Sequence, residues 1–477
     1  MPIPISIPSP WLCGPRSARG FLLLAVTAEG AFLRYNEAVL KSVRLKNFKL
    51  HESTSIEAAP ITVFIGPNNT GKSSVFQALL LLRQAASRND RFLCQPPAAH
   101  PPPPSEPYLY SSELIVDVGT FDEVVREGAS EIDIQFSGVV KAQKPVHGAR
   151  EASVDITLQI KDNRLVFNSG SVSCLQSQAK WAFIEGSPIQ PNPVSLNLGG
   201  VPYHLRIEDT FRLTQPAGYG ADTRGLPHET LLMYNEFSQW LGAIPSSLLR
   251  SIHPVYALRG FEEWGYPITE YAPANLELMT LHDRALALPN ALASDRRLKE
   301  MLSDRLQELL HISIDFEVVP GKRLKIWAKP SGKNAGETLF VNEGTGANQI
   351  PFIFVPVLLT PPNETILLSE PEAHLHPKGQ CELTRMLLTV AKKEHIQFFI
   401  ETHSEHVLHV ILNAIGKREL EPSQIAIYSF ENVNGTAKVT PLDVDEQGGV
   451  KGGLPGFFDQ SLDELTEYLE TLKKPSA

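Results

Sequence analysis

The feature that most restricts the fold of this chain is a nine-residue turn, Gly66-Pro67-Asn68-Asn69-Thr70-Gly71-Lys72-Ser73-Ser74. Before it runs Ile61-Thr62-Val63-Phe64-Ile65, apolar and β-branched, as a strand buried on both faces should be. After it, Val75, Phe76, Leu79, Leu80 and Leu82 recur at helical spacing. Strand, Gly-x4-Gly-Lys-Ser and helix together make a P-loop. The glycines allow backbone conformations in which successive N–H groups converge on a phosphate, and the helix N-terminus adds its dipole. Lys72 offers a point charge to the β- and γ-phosphates, and the Ser73 hydroxyl offers a ligand to Mg²⁺. The expected cofactors are therefore ATP and Mg²⁺.

Far downstream, Leu367-Leu368-Ser369-Glu370-Pro371-Glu372 is an apolar strand ending in acids. Carboxylates there can order Mg²⁺ and its waters, and one of them can orient an attacking water. Thr402-His403-Ser404 follows the strand Ile396–Ile400. A histidine at the carboxyl end of such a strand can reach the γ-phosphate, while Ser404 can also serve as the cap of a helix from Glu405. Gly344-Thr345-Gly346-Ala347-Asn348-Gln349 opens a helix and, alongside the other three groups, reads as a second phosphate cap. His374 and His376, two positions apart without other placed ligands, read as loop or interface residues rather than a metal pair.

The fold class expected is α/β, a P-loop NTPase head with a mixed or parallel sheet, interrupted by a β-rich insertion. Residues 1–38 form a proline-rich leader, here expected to be poorly ordered, with a short Phe21–Val26 apolar run that faintly resembles a secretory signal. Residues 39–94 make the first lobe of the head, 95–335 the insertion, 336–430 the second lobe and 431–477 a small extension. The insertion opens on a polyproline stretch (Gln95–Pro107) and continues with period-two alternation, as in Ile132–Phe136 and Val154–Ile160. Asp162-Asn163 marks a hairpin, and Leu298, Met301, Leu302, Leu306, Leu309 and Leu310 mark a late helix. From position 341 a helix–strand–helix–strand–helix rhythm implies parallel strands. No sustained heptad array exists, which excludes long coiled-coil arms.

A formal net charge of −10 argues against a broad nucleic-acid coat. Cys13, Cys94, Cys174 and Cys381 are scattered without metal-type spacing, as isolated thiols of a reducing compartment. No apolar run is long enough for a membrane helix. Cytoplasmic localisation without a membrane partner is the expectation.

The order of P-loop, glycine-rich signature, acidic strand end and strand-end histidine resembles the ABC-type ATPase heads of the RecF, SMC and OLD (overcoming lysogenisation defect) proteins. Leu45-Lys46-Asn47-Phe48 resembles their opening motif. Within that superfamily the chain is most similar to stand-alone bacterial AAA-type ATPases, which share Glu370-Pro371-Glu372-Ala373-His374-Leu375-His376-Pro377, the Thr402–Ser404 triplet, Asp117-Val118-Gly119-Thr120-Phe121 and a terminal Gly456-Phe457-Phe458-Asp459. The resemblance covers residues 40–135 and 340–465, with a loose match at Val255–Arg259. It implies ATP held between two heads of a homodimer, each P-loop capped in trans by the partner's Gly344, Thr345, Gly346 and Gln349 helix. Glu370 would be the general base, or Glu372 if Glu370 takes the metal role, and His403 the switch histidine. It further implies a DNA-related or anti-phage task and a separate effector subunit such as a nuclease.

Two positions depart from that pattern. The acid usually found before Glu-Pro is here Ser369, which can hold a metal-bound water but brings no charge. The signature also has Ala347 near an expected glycine. These departures keep a non-hydrolysing nucleotide sensor or scaffold as an alternative. An OLD-like nuclease is the other: Asp443-Val444-Asp445 offers paired acids, but too little chain follows, without an upstream strand-end glutamate, for a two-metal site. A transporter ATPase is disfavoured by the long insertion between P-loop and acidic strand.

Overall fold

A computed structural model describes residues 35–88, 115–116, 118–146, 149–161, 164–174, 177–182, 192–198, 201–207, 244–245, 247–257, 259–268, 283–331 and 336–453. The leader up to residue 34, the polyproline stretch, Asp117, the Asp162-Asn163 turn and the Gly456–Asp459 segment lie outside them. In chain order the strands are β1 (Tyr35–Phe48), β2 (His51–Glu57), β3 (Ile61–Ile65), β4 (Ile132–Val146), β5 (Ala149–Lys161), β6 (Arg164–Cys174), β7 (Ser177–Ala182), β8 (Asn192–Leu198), β9 (Val201–Ile207), β10 (Ile252–Val255) and β11 (Tyr266–Pro267). They continue as β12 (Ile312–Val319), β13 (Arg323–Pro330), β14 (Thr338–Leu339), β15 (Thr365–Ser369), β16 (Gln397–Glu401), β17 (Ile425–Val433) and β18 (Thr436–Leu442). The helices are α1 (Lys72–Arg88), α2 (Phe121–Val124), α3 (Asp283–Ser294), α4 (Arg296–Leu310), α5 (Thr345–Leu359), α6 (Pro377–Glu394) and α7 (Glu405–Gly416).

The strands form three sheets. The central one runs β10-β15-β16-β3-β17-β18, parallel throughout except for the antiparallel β18 at its edge. Its strands β15, β16 and β3 are buried on both faces, as their unbroken apolar runs predict. Alternation then sorts their side chains into two cores. Phe64, Leu367 and Phe399 join α1 and the antiparallel sheet β2-β1-β4-β5-β6-β7-β8-β9, while Val63, Ile366, Leu368, Phe398 and Ile400 join residues of α3 to α7. The third sheet, β11-β13-β12 with β14 paired to β13, packs with this second core. The result is an α/β fold in which a mostly parallel sheet carries the P-loop between β3 and α1.

Residues 95–335, expected as one insertion, are divided among all three sheets. β4 pairs with β1, so the insertion strands continue a sheet that the first lobe begins. β10 is an edge strand of the central sheet, and β11 to β13 belong to the third. Period-two alternation identifies half-buried strands but cannot say which sheet they complete. β1 also starts at Tyr35, inside the expected leader, where pairing with Ala142 extends it. Lys161 pairs directly with Arg164, as the expected hairpin requires.

Gln397, the first residue of β16, fastens the antiparallel sheet to the central one. It is buried, its Nε2 donates to the Leu40 and Ala59 carbonyls, and its Oε1 accepts from Leu40 N and Thr365 Oγ1. Gln397→Leu orphans several of these groups at once. At about 1–3 kcal/mol for each buried group left unpaired, a loss of at least ~2 kcal/mol is expected, read as a lower urea midpoint at unchanged slope.

Candidate functional site

Because β15, β16 and β3 run parallel, their carboxyl ends open on one edge of the sheet. The ladder pairs Ser369 with Glu401 and Glu401 with Phe64, so the acidic turn, the Thr402-His403 step and the P-loop begin side by side. Two backbone bonds extend the registry: Glu370 N donates to Glu401 O at 2.8 Å, and Thr402 N to Phe64 O at 3.0 Å.

The P-loop leaves β3 at Gly66, with φ of 139°. A β-carbon here would lie 2.2 Å from the Phe430 carbonyl oxygen, so only glycine lets the loop turn against β17. Lys72, at the start of α1, is almost fully buried and donates to the Gly66 and Pro67 carbonyls at 2.9 and 2.6 Å. Burial lowers its pKa, while the charges of Glu401 and Glu370 act in the other direction. Thr70 Oγ1 donates to Pro67 O at 2.9 Å, and Asn432 Nδ2 to Asn69 O at 3.0 Å. His51, fully buried, donates from Nε2 to the Gly71 carbonyl at 2.9 Å and accepts from Thr54 Oγ1 at 2.8 Å. Burial lowers its pKa, consistent with that neutral tautomer. The antiparallel sheet therefore buttresses the loop through a residue the motif does not contain.

The two acids of the Glu-Pro-Glu turn have different surroundings. Glu370 sits at φ of 44°, partly exposed, with Oε1 3.6 Å from His403 Nε2. Glu372 is buried: its Oε1 accepts from Thr402 Oγ1 at 2.5 Å and from His403 N at 3.1 Å, while Oε2 has no hydrogen-bond partner. Burial raises its pKa despite those donors. This places Glu372 as a brace of the Thr402-His403 step and leaves Glu370 the more exposed of the two. Burial together with Lys72 lowers the pKa of His403, which also bonds the Gly66 backbone and so touches P-loop and acidic turn at once. Ser404 caps α7, accepting from His406 N and Val407 N at 3.1 and 3.3 Å.

Two residues outside the sequence motifs complete the site. Arg259, following β10, donates to Ser369 O at 2.8 Å and Glu370 O at 2.6 Å and so clamps the acidic turn. Burial lowers its pKa to about 10, with Glu372 and Glu370 acting to raise it. Glu401, 3% exposed, accepts from Ser73 Oγ at 2.5 Å. Its pKa is raised by burial, against the hydrogen bond from Ser73 and the charge of Lys72. A loose match at Val255–Arg259 was the only sequence signal for Arg259. For Glu401 the signal was its place directly after an apolar strand.

The glycine-rich segment starts α5, with Gly344 as its N-cap and no side-chain cap. Gly344 and Thr345 are exposed, whereas Gln349 is buried and donates to the Ala373 carbonyl. A β-carbon on Gly346 would lie 2.5 Å from the His374 carbonyl oxygen, so glycine lets this helix end pack on the loop after Glu372. His376 caps α6, its Nδ1 accepting from Lys378 N at 3.3 Å, and no metal-type cluster of three or more His, Cys, Asp or Glu occurs among the described residues. The Asp443/Asp445 pair is likewise committed: Asp443 pairs with Lys451 at 2.6 Å, and Asp445 caps the turn at Gln447 and Gly449. Cys381 is a free thiol.

A serine hydroxyl and a carboxylate are hard oxygen donors, the kind Mg²⁺ takes alongside nucleotide phosphates, so the donor set fits a magnesium nucleotide. A sequence family described as AAA ATPase domain matches residues 39–180 and 343–408, the two stretches that carry the P-loop and the acidic and histidine strand ends. Over these two stretches, somewhat under half of its length, the chain is similar to AAA ATPase domains. No curated protein matches the chain. Among solved structures, it is similar to the SMC head domain from Thermotoga maritima, at 14% identity over 85% of this chain and 100% of that one, with a TM-score of 0.38. It is also similar to an SMC head domain with extended coiled coil, bound to the C-terminal domain of ScpA and derived from Pyrococcus furiosus, at 12% identity over 92% and 100% of the chains, with a TM-score of 0.41. No helix among the described residues is long and apolar enough to cross a membrane.

The raised Glu372 pKa has a stability consequence. The folded carboxyl keeps its proton to higher pH than the unfolded one, so the native state binds more protons above the ordinary value of 4.5. Stability then falls as pH rises through that window. Glu372→Gln, neutral throughout, removes this share and should flatten the decline, measured by urea unfolding at a series of pH values.

Proposed function

We propose that the protein binds and hydrolyses ATP, with two heads closing on the nucleotide. The single observation that carries this reading is the meeting of Lys72, Glu370 and His403 on one sheet edge, with His403 touching both the P-loop backbone and Glu370. Gly66 to Ser74 cradle the phosphates through backbone N–H groups, and Lys72 exchanges its loop carbonyls for phosphate oxygens. Ser73 holds Mg²⁺, which when bound neutralises charge on the β- and γ-phosphates. Glu370, partly exposed, accepts the proton of the attacking water. His403, whose pKa burial lowers, reports from Nε2 on the γ-phosphate position. Arg259 keeps the Glu370 backbone in place.

The exposed, uncapped N-terminus of α5 supports a role in trans. Its free N–H groups and dipole suit the γ-phosphate held by a second copy. Gly344, Thr345 and Gly346 are the positions that would face it, and buried Gln349 fixes the helix. We assign the dimer to a DNA-related or anti-phage task with a separate effector subunit, in the cytoplasm. The net charge of −10 confines any DNA contact to a local patch formed on dimerisation.

Lys72→Ala is expected to abolish ATP binding in calorimetry; unchanged affinity would refute the P-loop assignment. Glu370→Gln should bind ATP normally, lose turnover by about 10²-fold or more, and accumulate an ATP-dependent dimer in sedimentation. If Glu372→Gln traps the dimer instead, the proton acceptor is Glu372. Turnover absent from the native chain, with and without DNA, would favour a nucleotide sensor.

A further inference from the structure

Position 369 is where the acidic strand end would be expected to carry a second carboxylate, and serine occupies it. Such a carboxylate would stand on the last rung of β15. The residue across that rung is Glu401, the last of β16. It is 3% exposed, and its Oε1 accepts from Ser73 Oγ at 2.5 Å. A buried carboxylate on the hydroxyl expected to ligate Mg²⁺ is aimed where a metal's charge would compensate it. Lys72 is its neighbouring cation, but the ammonium is engaged by the Gly66 and Pro67 carbonyls. The adjacent Glu370 N–H to Glu401 carbonyl bond fixes the two strand ends relative to each other.

We infer that Glu401 supplies, from β16, the metal-facing carboxylate that β15 lacks, so that Ser73 and Glu401 together form the protein side of the Mg²⁺ site. The inference rests on the P-loop holding a nucleotide. It removes the main reason for a non-hydrolysing reading, because the charge missing at Ser369 is restored one strand away. It also frees Glu370 from any metal role. Only two protein oxygens are involved, in keeping with a metal that retains waters and phosphate oxygens.

The test is ATP affinity of the full chain, measured by calorimetry once with excess Mg²⁺ and once with EDTA; the ratio of the two reads the coupling of metal to nucleotide. Glu401→Gln keeps an oxygen that can accept from Ser73 but removes the charge. It should leave affinity in EDTA equal or tighter and cut the Mg²⁺ ratio on the order of ten- to a hundredfold. Adding Ser369→Asp should restore the ratio, because the carboxylate returns on the same rung. A wild-type ratio in Glu401→Gln would overturn the inference, as would failure of Ser369→Asp to rescue in a double variant with native far-ultraviolet dichroism. A purely structural Glu401 would weaken binding equally in both buffers. Absence of ATP binding by the native chain in either buffer would overturn the nucleotide reading itself, and the inference with it.

Discussion

Everything at this site depends on the parallel register of β15, β16 and β3. That pairing sets Ser369 beside Glu401 and Glu401 beside Phe64, and brings together groups separated by some three hundred positions of chain. A slip of one residue would turn Phe398 and Ile400 into the core of Phe399 and reverse the direction of Glu401. The register is therefore held by the two cores that sandwich the sheet as well as by its hydrogen bonds. Gln397 locks the opposite end of β16 to the antiparallel sheet. The proposed site thus sits at the ends of strands that are almost wholly buried.

The electrostatics follow from the same packing. Lys72, Glu401 and Glu372 are buried beside half-buried Arg259, and each charge alone would be costly to desolvate. Their pKa shifts are all in the direction burial dictates, and each is opposed by a neighbour of the other sign or a hydrogen bond. Such a site carries excess cost in charge and hydrogen bonding that a polyanion and a divalent cation can relieve. Glu370 differs, standing partly exposed on a strained backbone with φ of 44°. Partial exposure suits the proposed proton acceptor, whose proton would have to exchange with solvent.

The local elements were legible because their signals are local. β3, the P-loop, α1 and the α/β rhythm from position 341 read from adjacent residues, and β3 falls on the expected Ile61–Ile65. Helix α5 opens at the glycine-rich segment and α7 at Glu405 behind the Ser404 cap, as their local signals indicate. What could not be read is what depends on pairing across sheets. The stretch 95–335 looked like one block, since alternation does not reveal that β4 completes a sheet with β1 or that β10 joins the central one. His51, Arg259 and Glu401 fail to stand out for the same reason: each acts through a neighbour remote in sequence. Ser369 looked like a lost charge only because the rung partner was unknown.

The most direct test of this account is a crystal structure of the full chain with Mn²⁺ and a non-hydrolysable ATP analogue, with the metal located by its anomalous signal. The account predicts phosphates within the Gly66–Ser74 loop, the Lys72 ammonium moved from the Gly66 and Pro67 carbonyls to phosphate oxygens, and the metal beside Ser73 Oγ and the Glu401 carboxylate. Nucleotide bound elsewhere, or a metal in the loop remote from Glu401, would contradict it.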